Sequence, residues 1–146
     1  MKKVIYTIAI AAFATVLISS CAKPGCTDKN ATNYNASAKT DDGTCNYEGS
    51  VVFWYGQTTA TKLGAAGSTA LTYYVDGILA GSSAASIYWT AAPECGQAQS
   101  VTSKKDLGIV KSKSYTFSIK DQTGTEIWAG TQTWTANTCL KLELTY

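Results

Sequence analysis

The stretch Leu71-Thr72-Tyr73-Tyr74-Val75-Asp76-Gly77-Ile78 decides the fold class of this chain. Apolar side chains at positions 71, 73 and 75 recur with a period of two, which predicts a strand with one buried face. Asp76-Gly77 is typical of a two-residue hairpin loop, because such a turn needs residues that tolerate a positive φ. The stretch therefore predicts two antiparallel strands that meet at Asp76-Gly77.

Similar short segments lie on both sides of this hairpin. Residues 50–55 form an apolar run that ends at Gly56, residues 115–119 and 140–144 alternate between apolar and polar side chains, and residues 121–124 form a second turn. Further strands are predicted over residues 85–89, 99–102, 107–110 and 125–134, with no helical periodicity after the N-terminal apolar run. Seven or eight strands in about a hundred residues predict an all-β fold, an antiparallel β-sandwich over residues 49–146.

The composition limits the chemistry that the chain can perform. It has 146 residues and 12 basic side chains, all of them lysines, and no histidine. This composition excludes imidazole-based catalytic triads, histidine metal sites and arginine forks for phosphate. Lysine lies beside a carboxylate in Lys104-Lys105-Asp106 and Lys120-Asp121, but no nucleophile with an orienting group can be named near either. We therefore expect a protein that is not an enzyme.

The N-terminal residues 1–20 are predicted to be a cleaved targeting segment. Met1-Lys2-Lys3 is a short positive start, and residues 4–18 are an apolar run broken only by two threonines. The run is shorter than the roughly 20 residues that span a bilayer, and polar residues follow it at once, which is typical of a secretory signal. The segment Leu17-Ile18-Ser19-Ser20-Cys21 resembles a bacterial lipobox, which implies cleavage after Ser20 and a lipid on Cys21.

This resemblance sets the expected location of the protein. Acyl chains such as palmitate on Cys21 would anchor it stably to a membrane. The residue after Cys21 is Ala22 and not the aspartate of a retention signal, which resembles the pattern for sorting to the outer membrane. The side of the membrane that the domain faces stays open. Removal of Lys2 and Lys3 leaves ten lysines against ten acidic residues. Without a basic excess, nucleic acid is not expected as a partner.

Four cysteines remain once Cys21 carries a lipid. An even number of cysteines in an oxidising compartment predicts two disulfides. Cys26 and Cys45 bracket one polar segment, whereas Cys95 and Cys139 lie in the aromatic-rich remainder, so pairing within each region is favoured over the two other pairings. A zinc site of four thiolates is the rival interpretation, but its cysteines are normally paired at much shorter spacing.

Residues 21–48 are predicted to be a polar, disulfide-bounded module. They contain Gly-Cys-Thr-Asp from Gly25, Ala-Thr-Asn-Tyr-Asn from Ala31 and Asp-Asp-Gly-Thr-Cys-Asn-Tyr from Asp41. This pattern resembles a cysteine-bounded module of Bacteroidetes-type secreted and surface proteins, although Ala36 stands where such modules often have proline.

Oxygen-bearing side chains are dense in this module and could suit calcium. The six candidate ligands are Asp28, Asn30, Asn33, Asn35, Asp41 and Asp42. The alternative is that these side chains hydrogen-bond their own backbone turns. The second interpretation is favoured, because the ligand order of a known calcium loop is missing.

A second resemblance covers residues 49–146. Its motifs are Gly49-x-Val51-x-Phe53, Val75-Asp76-Gly77, Pro93-Glu94-Cys95-Gly96, Tyr115-Thr116-Phe117, Trp128-x-Gly130 and Cys139-Leu140-Lys141-Leu142. Their order is similar to that in small immunoglobulin-like or transthyretin-like domains of lipoproteins from the same bacterial group. Such domains commonly have glycine before the Tyr-x-Phe strand, where this chain has Lys113-Ser114. The resemblance implies a non-catalytic module.

The aromatic residues are the candidates for a more specific function. A small sandwich needs large rings in its core, and we expect Phe53, Tyr73, Trp89, Tyr115, Phe117 and Trp128 to fill it. Tyr74, Tyr88 and Trp134 are candidates for an outward face, where flat rings can stack on a glycan.

The sequence thus predicts a membrane-anchored envelope lipoprotein that acts as a non-catalytic structural or protein-interaction module. The alternative is a cell-surface carbohydrate-binding or adhesive module, so the partner is either an envelope protein or a surface glycan. An exposed apolar edge strand would favour the first function through strand addition. Exposed aromatic rings would favour the second.

Overall fold

The computed structural model describes residues 23–146. The predicted signal segment and Cys21 lie outside the described residues. The elements are β1 Tyr47–Trp54, α1 Gln57–Ala65, β2 Ala70–Val75, β3 Ile78–Ala84, β4 Val101–Gly108, β5 Ser112–Asp121, β6 Glu126–Thr135 and β7 Cys139–Glu143. Within this range no helix is long and apolar enough to cross a membrane.

The strands form two sheets, as the alternating sequence pattern requires. One sheet has the order β4-β1-β7 and the other the order β3-β2-β5-β6. The two predicted hairpins are confirmed, since β2 pairs with β3 and β5 pairs with β6 in antiparallel register. At the first turn Asp76 and Gly77 have φ angles of 49° and 73°, the positive values that the hairpin prediction requires.

Side chains from the two sheets meet in one apolar core. The ring of Phe53 on β1 lies 5.5 Å from the ring of Tyr73 on β2 and 5.8 Å from that of Phe117 on β5. Val51, Leu71 and Ile119 are fully buried in the same core. Of the aromatic residues predicted for the core, Phe53, Tyr73 and Tyr115 are buried, and Trp89, Phe117 and Trp128 are half-buried.

The central strand β1 is buried on both of its faces. Val52 points away from the core that holds Val51 and Phe53, because successive side chains of a strand alternate, yet Val52 is fully buried as well. Its register partners are Thr102 on β4 and Lys141 on β7. These three side chains therefore share the second face of the sheet.

Residues 94–96 of the β3–β4 connection lie across this second face and are held there at three points. Glu94 forms an ion pair with Lys141, and the Gly96 N–H donates to the Thr102 hydroxyl oxygen at 2.9 Å. Between them, Cys95 is joined to Cys139 by a disulfide. We call residues 94–96 the strap, and the strap closes the second face of β1.

The helix α1 was not predicted from the sequence. It buries Thr59 and Leu63, four residues apart on one face. Its first residue follows Gly56, which provides no side-chain cap, so the usual sequence signal for a helix start is missing. It ends in a glycine turn, where Gly67 has a φ of 85° and the Ser68 N–H donates to the Leu63 carbonyl.

Three strand predictions were wrong. Residues 85–89 are irregular rather than a strand, and the segments predicted at 99–102 and 107–110 overlap the two ends of one continuous strand, β4 Val101–Gly108. The charged run Lys104-Lys105-Asp106 gave the middle of β4 the appearance of a loop. The ladder accommodates it because Lys104 forms an ion pair with Glu48 on the neighbouring strand.

The predicted antiparallel arrangement holds for four of the five described strand pairs and was wrong for the fifth, β1 with β7. The chain leaves β6 in one sheet, turns through residues 136–138 and enters β7 in the other sheet, where β7 pairs with β1 in parallel register. Asn137 adopts a positive φ of 53° at this corner, and its N–H donates to the Glu48 carbonyl. The crossing of the chain from one sheet to the other at this corner therefore sets the direction of β7.

The strap yields a stability prediction. The double variant Cys95→Ser/Cys139→Ser should lower the free energy of unfolding by about 4 kcal/mol, the chain-entropy value for a loop closed over 44 residues. Urea denaturation measures this loss. Hydrogen exchange should also rise at β1 and β7 more than at β5 and β6, because only the first pair lies under the strap. Equal stability and unchanged exchange at β1 would contradict the assigned role of the strap.

Candidate binding surfaces

Residues 23–46, which we call the N-terminal module, are folded by one disulfide and by side chains that close their own turns. The disulfide joins Cys26 to Cys45. This pairing and that of Cys95 with Cys139 are the two that the sequence favoured. Four side-chain oxygens each accept the N–H two residues further on: Asp28 from Asn30, Asn35 from Ser37, Asp41 from Gly43 and Asp42 from Thr44. Asn33 ties the middle of the module to its C-terminal end by accepting from the Asn46 N–H and donating to the Thr44 carbonyl.

Asp28 joins the module to the sheets. Its Oδ2 accepts from the Lys111 ammonium at 2.6 Å and from the Tyr47 hydroxyl at 3.0 Å. The hydrogen bond from Lys111, followed by that from the Asn30 N–H, lowers the pKa of Asp28 to about 2. The Lys111 Nζ also lies 5.9 Å from the centre of the Tyr47 ring. A short polar segment is thereby fixed against the start of β1 and the β4–β5 turn.

This geometry favours the turn interpretation of the six candidate calcium ligands. Five of them use a side-chain oxygen to hold the backbone, and Asp28 also holds a lysine ammonium, which would repel a divalent cation. Hydrogen bonds from Thr44 lower the pKa of Asp42 in the same way. Among residues 23–146, no three acidic or cysteine side chains are grouped as metal ligands.

The three aromatic residues predicted to face outward occupy different positions. Trp134 is only 2% exposed, so its prediction as an outward glycan-stacking residue was wrong. The β5–β6 register pairs Lys113 with Trp134 and Tyr115 with Gln132, which places Trp134 on the inner face with Tyr115. Their rings lie 4.9 Å apart. The register of β6, which the sequence pattern left open, decided this side chain.

Tyr74 and Tyr88 do reach the surface. Tyr74 is half-buried on the outer face of the four-stranded sheet, and the Lys120 ammonium lies 5.7 Å from the centre of its ring. Tyr88 is 42% exposed. Tyr88 also lines a shallow, open cleft.

The cleft beside Tyr88 has a volume of about 200 Å³. Its other walls are Ser86 and three residues from the first two turns of α1, namely Gln57, Ala60 and Thr61. The Trp89 N–H donates to the Tyr55 carbonyl at 3.0 Å, which holds residues 86–89 against the start of the helix. We call this the Tyr88 cleft.

The outer edge of β3 is a second candidate surface. Ile78 and Leu79 at its start are 63% and 62% exposed, a feature that the hairpin signal did not reveal. β3 ends the four-stranded sheet, so no strand is hydrogen-bonded to one side of its backbone. Natural edge strands are usually protected by lysine or another charged residue, or by proline.

The other sheet edges in the described part of the chain carry such protection. β4 contains Lys104, Lys105 and Asp106, β7 contains Lys141 and Glu143, and β6 begins with Glu126. The sequence of β3 is Ile-Leu-Ala-Gly-Ser-Ser-Ala, with neither charge nor proline. Of these four edges, β3 is therefore the one without a charged residue.

A polar crevice of about 210 Å³ lies between the N-terminal module and the three-stranded sheet. Lys29 and Thr32 of the module line it, together with Asn137 and the Glu48–Lys104 ion pair. Its carboxylate, Glu48, is already paired with Lys104, so the crevice offers no unpaired acidic group.

Comparison of the chain with protein-family models, curated proteins and solved structures gives no match. The resemblances of the sequence to Bacteroidetes-type modules therefore stay predictions.

The joint at Asp28 yields a prediction about pH. Because the folded pKa of Asp28 is lowered from 3.8 to about 2, its contribution to stability is present above pH 4 and is lost as the pH falls through about 2. In the variant Lys111→Met the pKa of Asp28 should rise from about 2 towards its usual value, because the principal hydrogen bond is gone. NMR titration of the Asp28 carboxyl carbon measures this change. Lys113→Met, two residues away, should leave it unaltered, and an unaltered pKa in Lys111→Met would contradict the joint.

Proposed function

We propose that this chain is a lipid-anchored envelope protein without catalytic activity, and that its folded part takes up an extended segment of a partner protein at the edge of β3. The observation that carries the proposal is the open, uncharged edge of β3 with Ile78 and Leu79 exposed at its start.

The backbone of an edge strand selects an extended polypeptide. Apart from the register shift at Ala80 and the Ala84 carbonyl, which accepts from the Ile87 N–H, the outer N–H and C=O groups of β3 have no strand partner, so a partner segment gains main-chain hydrogen bonds by adding to the sheet. Side chains then provide specificity. Leu79 stands opposite Tyr74, and Ile78 opposite Val75, so the partner would cover one apolar residue on each face of the sheet near the hairpin.

Charges near the edge define the partner further. The Lys105 Nζ approaches the Val75 carbonyl at 3.5 Å, and the Lys120 ammonium lies over Tyr74. Asp76 is already held by the N–H and hydroxyl of Thr116, which lower its pKa. Two lysine ammonium groups and the one ionised carboxylate of Asp76 thus border the apolar start of β3. Because the cations are in excess, we expect a partner segment with alternating apolar residues and acidic flanks.

Two further parts of the proposal concern the anchor and the architecture. A lipid on Cys21 supplies membrane attachment, and its support is the lipobox-like sequence at residues 17–21. We also assign the two sheets to a β-sandwich of the immunoglobulin-like or transthyretin-like kind. The support for this assignment is the single core shared by a three-stranded and a four-stranded sheet.

The edge of β3 is tested by placing a photo-crosslinking amino acid at Leu79 in cells and, as a matched control, at Ile109, which is 73% exposed in the β4–β5 turn. We expect one defined partner to crosslink at position 79 and not at 109. With that partner purified, Leu79→Lys should weaken binding at least about tenfold, because the interface would bury an ammonium group. Ile109→Lys should not change the affinity.

Two outcomes would overturn the strand-addition proposal. Equal crosslinking at positions 79 and 109 would indicate unspecific apolar contact. Crosslinks only between copies of this chain, with a dimer in light scattering that Leu79→Lys dissolves, would replace the partner protein by a second copy.

The anchor is tested separately from the edge. Cys21→Ala should move the protein from the detergent phase to the aqueous phase on Triton X-114 partitioning and abolish labelling by an alkyne-tagged palmitate. Protease treatment of intact cells, with an epitope after Tyr146 and a periplasmic control protein, then identifies the side of the membrane. Unchanged partitioning in Cys21→Ala would contradict lipid anchoring at this residue.

A further inference from the structure

We propose that the Tyr88 cleft binds a single uncharged saccharide ring. This inference goes beyond the protein-interaction function and does not depend on it, because the cleft and the edge of β3 are different surfaces built from different residues.

The aromatic wall provides the first argument. Tyr88 exposes 42% of its surface and lines the cleft, so its ring is accessible to a ligand. The face of an aromatic ring carries a partial negative charge. The C–H bonds on one face of a pyranose ring present weakly positive hydrogens to it. A saccharide can therefore cover the ring while its hydroxyl groups stay accessible to polar partners.

The remaining walls provide such polar partners without any charge. Gln57 offers both a donor and an acceptor, and Thr61 and Ser86, which also line the cleft, each carry a hydroxyl. The Thr61 hydroxyl donates to the Gln57 carbonyl at 3.0 Å, which leaves its oxygen lone pairs to accept. A cleft lined by an aromatic ring, an amide and hydroxyls matches the mixed apolar and hydroxyl surface of a neutral sugar.

The nearest cation of the helix does not alter this chemistry. The Lys62 ammonium donates to the backbone carbonyl of Tyr146 at 2.8 Å, and none of the five residues that line the cleft is charged. A site for an acidic sugar would require a cation to balance the carboxylate. The ligand class is therefore an uncharged saccharide.

The walls are fixed before a ligand arrives. One face of α1 is anchored by the buried Leu63 and Thr59, and the segment that carries Tyr88 is held by the hydrogen bonds Trp89 N–H to Tyr55 carbonyl and Ile87 N–H to Ala84 carbonyl. A fixed site loses little conformational entropy on binding.

The size of the cleft limits the ligand. A volume of about 200 Å³ is smaller than the roughly 300 to 1,000 Å³ of sites for drug-sized molecules, which leaves room for one ring. An open site for one small ring should have a dissociation constant on the order of 1 mM. Such an affinity suits a terminal or repeated sugar on a surface, where many copies of the protein bind together.

The test uses the full chain in a non-glycosidic detergent and the methyl glycosides of glucose, galactose, mannose and N-acetylglucosamine. Saturation-transfer NMR identifies the glycoside that binds, and amide shifts locate it. We expect at least one of the four to perturb residues 57–61 and 86–88. Tyr88→Ala should weaken its binding at least tenfold, whereas Tyr88→Phe should keep it within about threefold, because the stacking ring is retained.

A matched control distinguishes this site from unspecific contact with tyrosine. Tyr34 in the N-terminal module is 40% exposed, and Tyr34→Ala should leave the affinity unchanged. The methyl glycoside of galacturonic acid, with its carboxylate free, should bind no more tightly than methyl galactoside. The proposal is overturned if none of the four glycosides perturbs the cleft, or if Tyr88→Ala, shown to be folded by its melting temperature, binds as the unaltered chain does. Leu79→Lys should bind the glycoside normally, so failure of either proposal leaves the other in place.

Discussion

The burial of β1 on both faces is the constraint on which the rest of the structure depends. Val51 and Phe53 fill the core between the sheets, and Val52 needs an equally dry environment on the opposite side. A sheet of three strands cannot provide that cover from its own residues. The chain provides it with the strap, which a disulfide and two polar contacts fasten to the strands on either side of β1. The burial of apolar side chains and the disulfide thus both stabilise the second face of β1.

The path of the chain to the strap also creates both proposed binding surfaces. After β3 the chain leaves the four-stranded sheet, passes Tyr55 and continues to Cys95 beside the other sheet. Val101 of β4 packs beside Gly81 of β3, but β4 pairs with β1, so the outer edge of β3 has no hydrogen-bonded strand. Because residues 86–89 pass the start of α1, Tyr88 is held beside Gln57 and Thr61. One route therefore explains an edge for a polypeptide and a cleft for a small ligand.

The N-terminal module follows a different physical rule. It has few apolar residues, so its folding depends on a short disulfide loop and on Asx side chains that satisfy their own backbone. Its attachment depends on one charged group, Asp28, that is shared between Lys111 and Tyr47. If Cys21 carries the lipid, as we propose, this module is the part of the described chain next to the membrane anchor, since Lys23 is only two residues away.

The sequence by itself determined the features that depend on neighbouring residues. The Asp76-Gly77 and 121–124 turns, the alternating strands they connect and the polar turns of the N-terminal module all follow from local backbone preferences. The two disulfide pairs followed from the grouping of the cysteines. Only the tertiary structure decided the helix α1, the continuity of β4, the parallel direction of β7 and the burial of Trp134. Each of these depends on contacts between residues far apart in the chain. Examples are the hydrogen bond from the Thr59 hydroxyl to the Leu144 carbonyl and the packing of the Tyr115 ring against Trp134. A period of two shows that a strand has two faces, but the packing of the other sheet determines which of them is dry.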